Sequence, residues 1–156
     1  LGRDVQGARN LLLDAVQVNP NDPMAWLYAG FWSSMWGDPN QAVEESERAF
    51  RLSPMDPHRF YFQMQLANSY LANGRLSQAV DLCRSSLAKN RYHLPTLRAM
   101  LIAQFEMGLI KEARETFALI MQLQPDFTLT KYLAAGSHSR LRQRGAKVFA
   151  EMGLQH

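Results

Sequence analysis

Apolar residues recur along this chain at spacings of three and four, in runs that stop at Gly or Pro and are separated by short polar stretches. Trp26, Ala29 and Gly30 form one such set, and Ala42, Ala49 and Leu52 form the next. The pattern predicts helices over 3–18, 23–36, 39–52, 57–73, 76–89, 94–107 and 110–123, a short segment over 128–134 and a last helix over 139–152. No stretch alternates with a period of two, so the fold class is all-α. Gly between paired helices supplies a permissive turn. Pro after the second helix cannot continue it and begins the link to the next pair. In the last segment Leu141, Val148, Phe149 and Met152 share an apolar face, Ser139 can cap the start and Gly153 follows the end. Gly145 inside it weakens the helix by ~1 kcal/mol relative to Ala, so docking must offset that loss. The expected dock is the outer end of the unit from Leu94 to Pro125, near Phe117 and Met121.

The helical pattern is itself repeated. Gly37, Gly74 and Gly108 lie 37 and 34 residues apart, and Ala8, Ala42, Ala79 and Ala113 lie 34, 37 and 34 apart. Pro20, Pro54 and Pro125 follow at 34 and 71, which is again 34 plus 37. One spacing slips once by three residues, and the extra residues are assigned to a longer helix beginning near Pro57. The chain divides into a single array, 1–156: a second helix of a partial unit at 1–20, full units at 23–56, 57–93 and 94–127, and a C-terminal cap at 128–156. Small residues mark close approach. Gly30 and Ala67 are expected where paired helices cross. Ala8, Ala42, Ala79 and Ala113 are expected where successive units touch, with packing in the third unit adjusted around Leu101. The chain opens at Leu1 without a methionine, which suggests a piece of something longer. Leu11, Leu12, Val16 and Val18 at that end are expected to be only partly covered, an arrangement that favours a homodimer.

A 34-residue helix-turn-helix unit with Trp, Gly, Gly, Ala, Ala and Pro at these places resembles the tetratricopeptide repeat (TPR). Trp26, Gly30, Gly37-Asp38, Ala42, Ala49 and Pro54 carry the resemblance in the first full unit. Ala67, Tyr70, Gly74 and Ala79 carry it in the second, with Arg91 where Pro is usual, and Leu97, Gly108, Ala113 and Pro125 carry it in the third. The resemblance implies a right-handed superhelical solenoid in which the first helices of the units line a concave groove for a peptide or a partner helix. The groove positions it implies are Leu27, Phe31 and Met35, then Met64, Asn68 and Leu71, then Arg98, Ile102 and Phe105. The positions that hold a chaperone C-terminal carboxylate in one version of the groove are here Leu27, Phe31, Gln65, Pro95 and Ala99. None is a cation, so that mode is excluded. The segments "RLSPMDPHRFYF", "QPDFTLTKYLA" and "FAEMGL" are similar to C-terminal repeat regions of bacterial multidomain regulators, where such units follow a class III nucleotide cyclase or a winged-helix DNA-binding domain. This implies a cytoplasmic scaffold in signalling or transcription regulation, binding a protein partner or joining its own subunits.

Composition changes this picture little. The chain has 156 residues, 47% hydrophobic and 20% charged, with a formal net charge of +3. That is an ordinary globular balance, and no run is long and apolar enough to span a membrane. The single Cys83 excludes an internal disulfide and fits a reducing compartment, and its place among packing positions argues against a reactive thiol. His58, His93, His138 and His156 share no helical face and offer no zinc spacing. His58 and His93 fall in inter-repeat turns and are expected to be solvated. No phosphate loop, nucleophile elbow or HExxH motif occurs, so no catalytic residue, cofactor or metal is expected and the domain is not read as an enzyme. Glu44, Glu45 and Glu47 form a carboxylate run that suits a solvated face, with Glu44–Arg48 and Glu47–Arg51 at i, i+4. Two alternative functions remain: a groove that senses a small molecule or peptide, and nucleic-acid contact through Arg140, Arg142, Arg144 and Lys147, with Lys131 nearby. A solvated capping helix accounts for the same basic residues.

Overall fold

A computed structural model describes residues 4–136 and 138–156. Among them lie α1 (Val5–Val18), α2 (Pro23–Trp36), α3 (Pro39–Leu52), α4 (Arg59–Ala72), α5 (Leu76–Lys89), α6 (Leu94–Glu106), α7 (Ile110–Leu123), α8 (Leu129–Ala134) and α9 (Arg140–Glu151), with no strand. The predicted helices are all present, and the predicted start at residue 3 lies outside the described residues. Local chemistry sets the ends. Asp22 and Asp38 accept from the backbone N–H of Met24 and Asn40, each at 2.8 Å, immediately before a Pro whose fixed φ suits the first turn. Thr128 and Ser139 cap α8 and α9 in the same manner.

Gly74 and Gly108 stop α4 and α6 with φ of +81° and +76°, a conformation that costs any other L-residue strain. The following N–H groups of Arg75 and Leu109 then reach back to the carbonyls of Tyr70 and Gln104 at 2.8 and 2.9 Å. Gly37 occupies the same place in the repeat with a different geometry, φ −102°, because Asp38-Pro39 opens α3 directly behind it. The three extra residues of the second unit do not lengthen a helix. α4 has the same length as α2 and α3, 14 residues, beginning at Arg59 rather than near Pro57. The extra length lies in the connections around Ser53–His58 and Asn73–Arg75, where turns close between Ser53 and Asp56 and between Asp56 and Arg59.

Helices α2 to α7 pack as successive antiparallel pairs, α2 on α3, α4 on α5 and α6 on α7, with α3–α4 and α5–α6 joining the pairs. The first helices α2, α4 and α6 also touch one another and form the inner layer. At the α2–α3 crossing a Cβ on Gly30 would stand 2.2 Å from Ser46 Oγ and 3.1 Å from its backbone nitrogen, so only glycine fits. Ala42, Ala79, Ala113 and Leu101 are fully buried, as the repeat requires. Ala8 departs from the set and is exposed. At the same end Leu11 and Val18 are 72% and 87% exposed, Leu12 is half-buried and Val16 is buried, so this set is partly covered, as expected.

The carboxylate run also departs from its expectation. Glu44 is exposed, but Glu45 is only 5% exposed and forms a 2.5 Å ion pair with Arg9 of α1. Its other oxygen accepts from Ser33 Oγ at 2.7 Å, and the Arg9 guanidinium lies 5.1 Å from the Trp32 ring centroid. Glu47 pairs with Arg51 at 3.7 Å, whereas Arg48 turns away from Glu44 to stack on Trp26 and donate to the Pro20 carbonyl.

The C-terminal segment meets the 94–125 unit, as expected, but through its inner helix α6 rather than as a seal over α7. It turns back across the inner layer, and α9 lies against α8, α2 and α6. Phe149, fully buried, meets Phe127 edge-on at 5.4 Å and Tyr132 at 4.9 Å, and burying such a ring contributes roughly 1.5–3 kcal/mol. Ser139 Oγ contacts Met35 Sδ at 3.2 Å, Arg140 donates to the Gly37 carbonyl at 2.7 Å, and Arg144 bonds the Leu71 carbonyl and pairs with Glu106. Gly145 permits this approach, since a Cβ there would lie 2.2 Å from Tyr132 Oη and 2.7 Å from Ile102 Cδ1.

Candidate functional site

The inner layer and the returning α8–α9 segment enclose a concave pocket of about 190 Å³. α2 contributes Phe31 and Met35, α4 contributes Tyr61, Met64, Gln65, Asn68 and Leu71, and α6 contributes Pro95, Arg98, Ala99 and Ile102. Tyr132 of α8 with Leu141 and Arg142 of α9 closes the remaining side. These residues converge because i, i+3, i+4 and i+7 positions of a helix share a face, and three inner helices present that face side by side.

Phe31, Met35, Met64, Asn68, Leu71, Arg98 and Ile102, all placed in a groove by the resemblance, line this one pocket. Leu27 does not. It is 2% exposed and packs with Ala49 and Phe62 behind the inner layer. Phe105 is half-buried against the main core near the far end of α6 and is also off the pocket wall. Met35, Met64, Leu71 and Ile102 are buried, so the accessible wall is Phe31, Tyr61, Asn68, Pro95 and Arg98. The helical period carried Tyr61 and Gln65 on the same face as Met64 and Asn68. Tyr132 and Arg142 had no such signal, because nothing local says where a tail returns.

The pocket is cationic. Arg98 donates through Nη2 to Gln124 Oε1 at 2.6 Å and lies over Phe127, 4.4 Å from the ring centroid. Its Nε is buried without an acceptor. Arg142 donates to the Tyr132 carbonyl at 3.4 Å and stacks 4.8 Å from the centroid of that ring. Burial, and after it the like charge of Arg142, pushes the Arg98 pKa down. Burial pushes the Tyr132 hydroxyl up, against the two arginine charges that favour its ionised form. No carboxylate is among the residues that line the pocket.

The other candidates resolve differently. The α9 arginines do not present a free basic face, since Arg144 is held by Glu106 and the Leu71 carbonyl and Arg140 by the Gly37 carbonyl, while Lys147 stays exposed. His93 is half-buried rather than solvated, with Nδ1 2.8 Å from Thr96 Oγ1 and the ring edge-on to Phe60 at 5.1 Å. Cys83 is fully buried beside Ala67 and Ala99, and burial pushes its thiol up to about 12. Among the described residues no cluster of His, Cys, Asp or Glu is placed to hold a metal ion, and no helix is long and apolar enough to cross a membrane.

No family model matches this chain, and no curated protein matches it either. Solved structures do. MamA superposes with a TM-score of 0.66 at 19% identity, over 96% of this chain and 86% of that one. TTC0263, a thermophilic TPR protein of Thermus thermophilus, gives 0.70 at 20% identity, over 96% and 75%. YrrB, described as a TPR protein with an unusual peptide-binding site, gives 0.61 at 14% identity, over 96% and 78%. At such identities the likeness speaks for architecture, and it agrees with the repeat spacing, the paired helices and the small residues at their crossings: the fold of this chain is the all-α solenoid of TPR proteins.

Proposed function

We propose that this domain is a protein-interaction scaffold that binds a partner's peptide segment on the concave face, in the pocket walled by Phe31, Met64, Asn68 and Arg98. The carrying observation is that pocket, which the returning tail narrows without filling. Apolar walls with a few convergent polar groups suit an extended or single-turn segment, and the exposed Phe31 offers it an apolar contact. The fold it shares with a TPR protein described by its peptide-binding site supports the same reading. No catalytic role is assigned to the domain. The likeness of its sequence segments to repeat regions of bacterial multidomain regulators supports a place in a cytoplasmic regulator. Isotope-edited NMR with peptides selected from a random library tests the proposal. Shifts should concentrate on Phe31, Met64 and Asn68, and Phe31→Asp should abolish them. Peptides that bind the outer helices, or no binder at all, would overturn it.

A second reading concerns self-association. Leu11 and Val18 stand exposed on α1 beside the exposed Ala8, and we propose that this end meets a second copy. Sedimentation equilibrium checks it: Leu11→Glu with Val18→Glu should convert a dimer to a monomer, and a parent that is monomeric at all concentrations ends the reading.

A further inference from the structure

Resting on the concave face as a peptide site, we infer that the peptide it takes carries an acidic side chain, whose carboxylate is held between Arg98 and Arg142. Both arginines line the pocket, and neither has an acidic partner among its described bonds. Their acceptors are neutral, the Gln124 side-chain amide and the Tyr132 carbonyl. The carboxylates nearest in the chain are already committed elsewhere, Glu106 to Arg144 and Asp126 to Lys131. Two guanidinium groups in one partly enclosed pocket therefore repel each other without a counter-charge, in surroundings where water screens them poorly.

Stacking fixes the geometry. The Arg98 guanidinium lies over Phe127 and that of Arg142 over Tyr132, so each is held before a ligand arrives and loses little freedom on binding. A planar carboxylate matches such forks through paired, charge-assisted hydrogen bonds. Phe31, Tyr61 and Pro95 in the same pocket supply the accessible apolar wall, which favours an acidic residue adjacent to an apolar one. The two arginines are not at the chaperone-type carboxylate positions, which are here Leu27, Phe31, Gln65, Pro95 and Ala99, although the last four of these line the same pocket. One of the two arginines comes from the returning C-terminal helix, so the site exists only when α9 is docked.

The test is a selection from a random peptide library blocked as N-acetyl and C-terminal amide, followed by anisotropy titration of the selected peptides. Selected peptides should carry Asp or Glu at one fixed register. Replacing that residue by its amide should weaken binding about tenfold or more. Arg142→Gln should weaken the acidic peptide by a similar factor and leave the amide peptide unchanged, because the pair acts as one interaction. Arg98→Gln removes a stack on Phe127 and is checked by its thermal melt. If it melts early, Arg142→Gln and the peptide-side exchange still decide the matter. Peptides that bind the concave face without an acidic residue, or whose affinity ignores both arginine variants, would overturn this inference and leave the peptide site standing. A library that yields no concave-face binder would overturn both. Binding only by unblocked peptides would reassign the anion to a chain terminus and end the side-chain assignment.

Discussion

Glu45→Gln removes one charge from a pair that is buried on both sides. Arg9 and Glu45 are each 5% exposed, 2.5 Å apart, with Ser33 Oγ donating to the second carboxylate oxygen. Glutamine keeps the shape but leaves the Arg9 guanidinium without its counter-charge. Losing one member of such a pair costs ~3–5 kcal/mol when the remaining charge stays buried. Arg9, however, has an exit. α1 packs principally on α2, and the described α1 residues that are buried are Arg9 and Val16. Burial of Val16 contributes roughly 1.5–3 kcal/mol. The Arg9–Trp32 contact and the bond from Trp32 Nε1 to the Val5 carbonyl, at 2.8 Å, each add ~1 kcal/mol. These gains are of the same size as the penalty, so the variant should release α1 rather than melt the whole array, as expected of a helix that packs principally on one neighbour. Hydrogen exchange followed by mass spectrometry reads this directly. Amides of α1 should lose protection while those of α4 and α6 keep it, and Arg9→Met in the same chain should restore part of the loss by removing the stranded charge. Unchanged protection of α1 in Glu45→Gln would refute the claim that this pair holds the helix.

Gly145→Ala should lower the melting temperature despite its ~1 kcal/mol gain in helix propensity, because its Cβ would stand 2.2 Å from Tyr132 Oη and overpacking costs ~1–3 kcal/mol; a more stable variant would show that α9 is free to shift. Gly30→Ala should destabilise for the same reason at Ser46, which is held by a 2.8 Å bond to Ser69 Oγ, and an unchanged melt would refute the close crossing. Cys83, fully buried with its thiol pushed up to about 12, should resist a thiol-specific disulfide reagent at pH 8 in the native protein and react fully in guanidinium; rapid native labelling would contradict its packing. Burial lowers the His93 pKa, so the folded state resists a proton that the unfolded chain takes up near pH ~6.5; its stabilisation is complete above that value and is lost as pH falls below it towards the folded pKa. The melting temperature should decline on acidification below pH ~6.5, and less steeply in His93→Asn; equal slopes would assign the decline to other groups.

Helix positions were legible in the sequence because their causes are local. Asp22-Pro23 and Asp38-Pro39 start α2 and α3 (at Asp56-Pro57 a turn intervenes before α4), and Gly74 and Gly108 stop a helix through backbone geometry that depends on a few neighbouring carbonyls. The repeat carried this further, since equal spacing makes each unit meet its neighbour in the same way, and the resemblance to the tetratricopeptide repeat implied most of the pocket wall on α2, α4 and α6. Only the tertiary structure decided the rest. An apolar face states that a helix is buried and leaves open against what, so α9 was read as an end cap when it crosses the inner layer. The same return turned Gly145 from a weak helix residue into a required one, brought Arg142 beside Arg98 and reduced an open groove to a pocket. Glu45 looked solvated among its acidic neighbours because its partner, Arg9, lies 36 residues away. Charge pairing and close approach across such separations depend on where whole helices come to rest, and no short window of sequence contains that.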